Sequence, residues 1–191
     1  MLLVFLFLFL FGLAIGSFLN VVVLRLNTGE SVRGRSRCFS CLRKLNWIDL
    51  VPLASYMVVR GRCRYCGSSI SAQYPIVELL TALVFAAVGW VFLGSDPYAV
   101  SVAMFLQFIL ALLFFSILIA ASIYDIRHKI IPDQLSLALF GAALLFEGIN
   151  IYQHFTLDSG VLYDVLGALG AFGFFAGIWF ISKGEWMGFG D

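Results

Sequence analysis

Charge is what this sequence has least of. Charged residues make up 12% of its 191 positions against 62% hydrophobic, and the mean hydropathy is +1.00. So little charge excludes an ordinary water-soluble globule, whose surface needs about twice that share. The sequence has no internal repeat, low-complexity linker or sustained heptad run, which excludes solenoids, arrays and coiled coils. It also lacks the apolar–polar alternation of a membrane barrel. No basic residue precedes the first apolar run, which leads from Met1 to Arg25 without a cleavage-type segment. That run therefore reads as a retained span, not a secretory signal.

What is present is a set of apolar blocks too long for a small soluble core to hide. Five of them can cross about 30 Å of hydrocarbon as helices: Leu2 to Leu24, Ile76 to Leu93, Ala99 to Tyr124, Leu135 to Ile151 and Val161 to Ser182. Glu147 and Asn150 interrupt the end of the fourth and leave it only just long enough. The fold class expected is an all-α polytopic membrane protein.

The cations are unevenly spread. Nine of the twelve Lys and Arg residues fall between Arg25 and Pro75, two more are Arg127 and Lys129, and the last is Lys183. The alternate loops, around Asp96 and from Glu147 to Asp164, carry acids and His154 but no Lys or Arg. Because cations collect on the cytoplasmic side, the amino terminus is expected outside and the carboxyl terminus inside. Three regions follow: a first span over 1–24, a cytoplasmic loop over 25–75, and a membrane domain over 76–191. The loop's basic character is explained by this topology and by anionic lipid headgroups, with no nucleic-acid partner required.

All four cysteines lie in that loop, as Cys38-Phe-Ser-Cys41 and Cys63-Arg-Tyr-Cys66, with 21 residues between the pairs. Two C-x-x-C units at this separation suit one tetrahedral metal held by four thiolates. Gly67 is the small residue that such a knuckle accommodates, and Arg37, Arg62 and Arg64 offset thiolate charge. Disulfides are the competing reading, but a cytoplasmic loop faces a reducing compartment. A closed four-sulfur shell leaves no position for reacting water, so the expected ion is a structural zinc in a small ribbon. With little apolar content, the loop should need its metal to fold.

Ionisable groups at the ends of spans are costly, hence candidates for function. Asp125 follows the third span, and Asp191 follows the fifth across a Gly-rich turn containing Gly188 and Gly190. If the two carboxylates converge they would share one proton, one activating water and the other polarising a peptide carbonyl. Glycines without Cβ atoms would let an extended substrate come close. Read singly, each acid also has a plain explanation: Asp125 as a solvated flank beside Arg127, Asp191 as the last residue. Asn20 and Glu78 are further polar intrusions into spans and candidate site-wall residues. Pro132 should set the start of the fourth span.

In this order the motifs resemble the type IV prepilin peptidases, membrane aspartic proteases of the Gly-x-Gly-Asp kind, over nearly the whole chain. Gly12-Leu-Ala-Ile-Gly-Ser-Phe-Leu-Asn20 through Arg25 is similar to that family's first helix, and the paired cysteines to its zinc loop. Gln73-Tyr-Pro-Ile-Val-Glu-Leu-Leu-Thr-Ala82 is similar to the entry to its second helix. Asp125 with Ile131-Pro132-Asp133 resembles the first catalytic motif, and Gly188-Phe-Gly-Asp191 the second.

The resemblance implies that Asp125 and Asp191 form the catalytic pair of a bacterial inner-membrane enzyme serving type IV pilus or type II secretion systems. Its substrate would be a prepilin or pseudopilin, cleaved after a glycine at the cytoplasmic face. It further implies N-methylation of the new amino terminus from S-adenosylmethionine. Family members continue beyond the second aspartate, so the expectation is a chain truncated at its carboxyl end and inactive alone. A membrane-tethered zinc-ribbon adaptor is the alternative from the loop alone. A presenilin-like or preflagellin-peptidase-like protease is the other, and the cysteines argue against it.

Overall fold

A computed structural model describes residues 1–29, 31, 34–94, 101–154 and 159–183. Its long helices are α1 (Leu2–Arg25), α3 (Gln73–Leu93), α4 (Val102–His128), α5 (Asp133–His154) and α6 (Ser159–Ser182). Between α1 and α3 lie a 3₁₀ turn (Trp47–Leu50) and a short helix, α2 (Ala54–Val58). All five long helices contain a stretch long and apolar enough to cross a membrane. The chain is therefore an all-helical, multi-pass membrane protein with a cysteine loop after its first span.

Helices α1, α3 and α4 form the buried bundle. At one end Leu19, Val23, Val77, Ile119, Ile123 and Tyr124 interlock. At the other, Leu8, Phe85, Val88, Phe108 and Leu112 do so. Helix α5 packs on α4. The outward side chains of α1, α3 and α4, such as Phe7, Leu83 and Leu113, remain exposed and apolar, as a lipid-facing surface requires.

The α1–α3 seam is the tightest contact. A Cβ added to Gly12 would lie 2.6 Å from the Ala82 Cα, and one on Gly16 2.7 Å from the Glu78 Cα. Two glycines four apart thus bring the backbones together, the arrangement by which membrane helices gain dispersion energy in the absence of a hydrophobic drive. Thr81 lies fully buried in this seam, its hydroxyl donating to the Val77 carbonyl at 2.7 Å.

Helix ends depart from the expected bounds for local reasons. α4 starts at Val102, where the Ser101 hydroxyl caps it by accepting from the Met104 N–H at 3.1 Å. It runs one turn beyond Tyr124, because nothing in Ile126-Arg127-His128 breaks a helix, and ends where Lys129 turns left-handed (φ 58°) and donates to the Asp125 carbonyl at 2.7 Å. Asp125 therefore sits within the last helical turn, not past it. α5 begins after Pro132, whose carbonyl accepts from the Leu135 N–H at 2.9 Å.

Replacing Gly16 by Val should force α1 and α3 apart and cost about 1–3 kcal/mol. Gly141 has open space around its Cα, so Gly141→Val should leave stability nearly unchanged. Thermal unfolding of both variants in detergent checks the contrast.

Candidate functional site

The four cysteine sulfurs lie within 4.8 Å of one another, and Cys38 and Cys66 are 3.8 Å apart at sulfur. A tetrahedron of sulfurs about 2.3 Å from a central ion has an edge of about 3.8 Å, so the group fits a zinc-sized ion. All four are free thiols.

Two matching turns hold them. In the first, Cys38 N–H donates to the Arg43 carbonyl (3.0 Å) and Leu42 N–H to the Cys38 carbonyl (2.9 Å). In the second, 25 positions on, Cys63 N–H donates to the Ser68 carbonyl (2.7 Å) and Gly67 N–H to the Cys63 carbonyl (2.9 Å). The turns are flanked by equivalent bridges, Arg37 with Lys44 and Arg62 with Ser69. Each requires a left-handed residue after its second cysteine: Gly67 at φ 71° and Leu42 at φ 59°. Glycine adopts this at no steric cost, whereas leucine holds it only because the surrounding turn dictates it.

The sulfur electrostatics favour a cation. Backbone N–H groups of Cys41 and Ser40 point at the Cys38 sulfur and hold that thiol down at about 6. Cys41 goes the other way: against the lowering effect of the Arg43 N–H, desolvation and the adjoining Cys38 and Cys66 sulfurs push it up to about 11. Four crowded thiols cannot all ionise without a positive centre, which a divalent ion supplies.

Asp49 ties the two turns together. Its carboxylate accepts from the Tyr65 hydroxyl at 2.8 Å and the Asn46 N–H at 3.1 Å, and pairs with the Arg64 Nε at 3.3 Å. The Arg43 guanidinium lies 4.2 Å over the Tyr65 ring.

The loop is docked on the bundle by Glu78. This carboxylate, buried one turn into α3, accepts from the Leu53 N–H at 2.8 Å. Leu53 precedes α2 with φ 57°, a conformation that aims its N–H at the membrane helices. Beside it, Asn20 is wholly buried, donating to the Gly16 carbonyl at 3.2 Å and the Tyr74 carbonyl at 3.3 Å. Its side-chain oxygen accepts from Gln73 at 3.3 Å, and Gln73 accepts from the Arg127 guanidinium at 3.1 Å. This chain links α1, α3 and α4. A second link runs from Asn27, which donates to the Tyr124 hydroxyl at 3.2 Å.

Asp125 is half-buried and faces away from that network, into an open groove of about 460 Å³ between α4 and α5. Leu118, Ile131 and Leu139 supply apolar walls, and Ser122 and Ser136 also line it. Asn20 and Glu78 are not among the residues lining this groove. They belong to the α1–α3 seam, and Glu78 also lines a larger cavity of about 840 Å³ beneath the cysteine loop. Gly188, Gly190 and Asp191 lie outside the described residues. Sequence reading did not single out Gln73 or Arg127. Gln73 at the polar head of an apolar helix was the available signal, whereas Arg127 was absorbed into the count of cytoplasmic cations.

These features define a multi-pass membrane protein with a four-cysteine loop and an acidic group lining a groove between α4 and α5. Residues 10–92 match the bacterial Peptidase A24 N-terminal domain, and residues 112–191 match the type IV leader peptidase family. Among curated relatives, the prepilin leader peptidase/N-methyltransferase of Myxococcus xanthus (strain DK1622) is 35% identical over 193 residues, covering 97% of this chain and 52% of that protein. The protein of the same name from Klebsiella pneumoniae is 32% identical, covering 97% of this chain and 79% of that one. That of Aeromonas hydrophila is 34% identical, covering 96% and 68%. No solved structure matches. The chain belongs to the type IV leader peptidase family. It spans about half the length of the Myxococcus relative.

Two outcomes follow from this geometry. Purified protein should contain about one zinc ion per chain by elemental analysis, and Cys38→Ser or a strong chelator should remove it together with hydrogen-exchange protection over 36–70. Glu78→Ala leaves the Leu53 N–H without its acceptor and should cost about 1–3 kcal/mol of loop docking, read as faster exchange at 53–58. Glu78→Gln, which keeps an acceptor oxygen, should restore most of the protection.

Proposed function

We propose that this chain carries the core of a membrane aspartic endopeptidase. It removes the leader from type IV prepilin or pseudopilin substrates, with Asp125 and Asp191 as the carboxylate pair. The observation that carries this reading is the placement of Asp125 in the wall of a largely apolar groove between α4 and α5, in a chain whose family match extends through Asp191. Such a groove suits a substrate whose own apolar helix stays in the bilayer, leaving the scissile bond at the interface where water is available.

The chemistry follows from two acids that share one proton. The ionised carboxylate takes a proton from water as its oxygen bonds to the scissile carbonyl carbon, while the protonated partner gives its proton to the carbonyl oxygen. Collapse of the tetrahedral adduct breaks the C–N bond, and the leaving amine takes up a proton.

The distribution of the cations supports a site on the cytoplasmic face of the inner membrane, with the amino terminus outside and the carboxyl terminus inside. Zinc would have a structural role at Cys38, Cys41, Cys63 and Cys66, holding the loop of residues 25–75 in shape. The names of the relatives support a second activity, methylation of the newly exposed amino terminus with S-adenosylmethionine as donor.

In the protein that carries this sequence, co-expressed with a prepilin-like substrate, Asp125→Asn and Asp191→Asn should each lower cleavage by at least about 10²-fold while zinc content stays at the wild-type level. Normal processing by either variant would exclude the pair.

A further inference from the structure

Between Leu45 and Val59 the cysteine loop is almost free of charge. Asp49 is the sole Asp, Glu, Lys or Arg in that stretch, whereas Arg43 and Lys44 stand just before it and Arg60 and Arg62 just after. Asp49 is used within the loop, on Tyr65 and Arg64. One side of α2 is also turned inward, with Ser55, Tyr56 and Val59 lining the cavity beneath the loop. The other side is apolar and bare: Trp47 is 77% exposed, and Met57 and Val58 are 74% exposed each. Ile48 and Val51 are exposed as well. A patch of this kind marks a surface that meets something other than water.

Its depth says what that is. The Leu53 N–H, at the head of α2, donates to the Glu78 carboxylate at 2.8 Å. Glu78 lies inside a span: the rise from Gln73, where α3 begins, is about 7–8 Å, and the 21 residues of α3 together match the hydrocarbon at about 30 Å. Helix α1 gives the same level, because Glu78 packs against Gly16. The rise from there to the end of α1 at Arg25 is about 13–14 Å. A glutamate side chain is too short to lift its partner clear of the helix ends, so α2 starts level with them, where lipid surrounds the bundle.

We propose that residues 45–60 are an interfacial anchor, lying in the leaflet on the loop's side of the membrane. Trp47, Met57 and Val58 enter the upper acyl chains, and the flanking cations rest on anionic phospholipid headgroups. Tryptophan is at home where acyl chains meet headgroups. An amphipathic segment edged by Lys and Arg gains from apolar burial and from the negative surface at once. An acidic protein would also attract these cations, but it would have to reach the patch at a level that lipid already fills. The cysteine loop thus has two attachments, Glu78 on its inner side and the bilayer on its outer side. The inference depends on neither cleavage nor methyl transfer.

The test uses the chain reconstituted in lipid nanodiscs. With Trp90, Trp179 and Trp186 replaced by Phe, Trp47 is the sole indole, and zinc content equal to wild type reports an intact loop. We expect its fluorescence to be quenched by phosphatidylcholine brominated near the headgroup end of the acyl chains, and little by aqueous acrylamide. Raising the share of phosphatidylglycerol should strengthen the protection from acrylamide. Met57→Glu together with Val58→Glu should abolish the bromolipid quenching with zinc retained. Lys44→Gln together with Arg60→Gln should remove the dependence on phosphatidylglycerol. Free access of acrylamide with no bromolipid quenching would overturn the anchor, and shielding from both quenchers would give the patch to a protein face and overturn it too. Equal shielding with and without phosphatidylglycerol would overturn the part given to the cations. The unaltered chain provides a second measurement: phosphatidylglycerol carrying a photoactivatable diazirine high in its acyl chain should label peptides spanning 45–60. Labelling of α1 without labelling of that stretch would exclude the anchor.

Discussion

In hydrocarbon, two apolar helices gain little by exchanging lipid for each other, so the arrangement of this protein depends on how closely α1 and α3 can approach. Gly12 and Gly16 remove the side chains that would keep them apart. That approach places Asn20 within reach of the Tyr74 carbonyl and the Gln73 side chain. Gln73 in turn reaches Arg127 at the end of α4. One steric concession near the middle of the first span thus fixes the relative heights of three helices at the membrane surface.

The cysteine loop is built on a different principle. It has few buried apolar side chains, and its shape comes from backbone turns around sulfur, a carboxylate shared by several donors, and a metal-sized gap between four thiols. Glu78 joins the two constructions, being a bundle residue whose partner is a loop backbone N–H. A buried carboxylate is a poor membrane component unless it is satisfied. Here its hydrogen bond is what seats the loop over the helix ends, and the large cavity exists because the loop is held there.

Much of this was legible in the sequence. Helix positions followed from apolar length alone, since a spanning segment must satisfy its own backbone and the hydrocarbon fixes how long it must be. The cysteine quartet was legible because spacing reports directly on ligand geometry. Position-specific conformation was not. Leu42 adopts the backbone of Gly67 without being glycine, so the equivalence of the two turns is visible in their hydrogen bonds and hidden in their residues. The extra turn of α4 was also hidden, because Arg127 and His128 look like the start of a loop but keep good helical geometry. Asn20 and Glu78 stood out as polar intrusions, yet the Tyr74 carbonyl and the Leu53 N–H that they reach lie far away in sequence, which no local pattern encodes.

The length of α4 has its own meaning. Its 27 residues extend about 40 Å, some 10 Å more than the hydrocarbon they cross. The last turn bears Asp125, Arg127 and His128. A helix with such a surplus can carry the acid of its last turn near the edge of the hydrocarbon. Shortening that rod by one turn would draw the acid down into a medium where neither its charge nor a water molecule is at home.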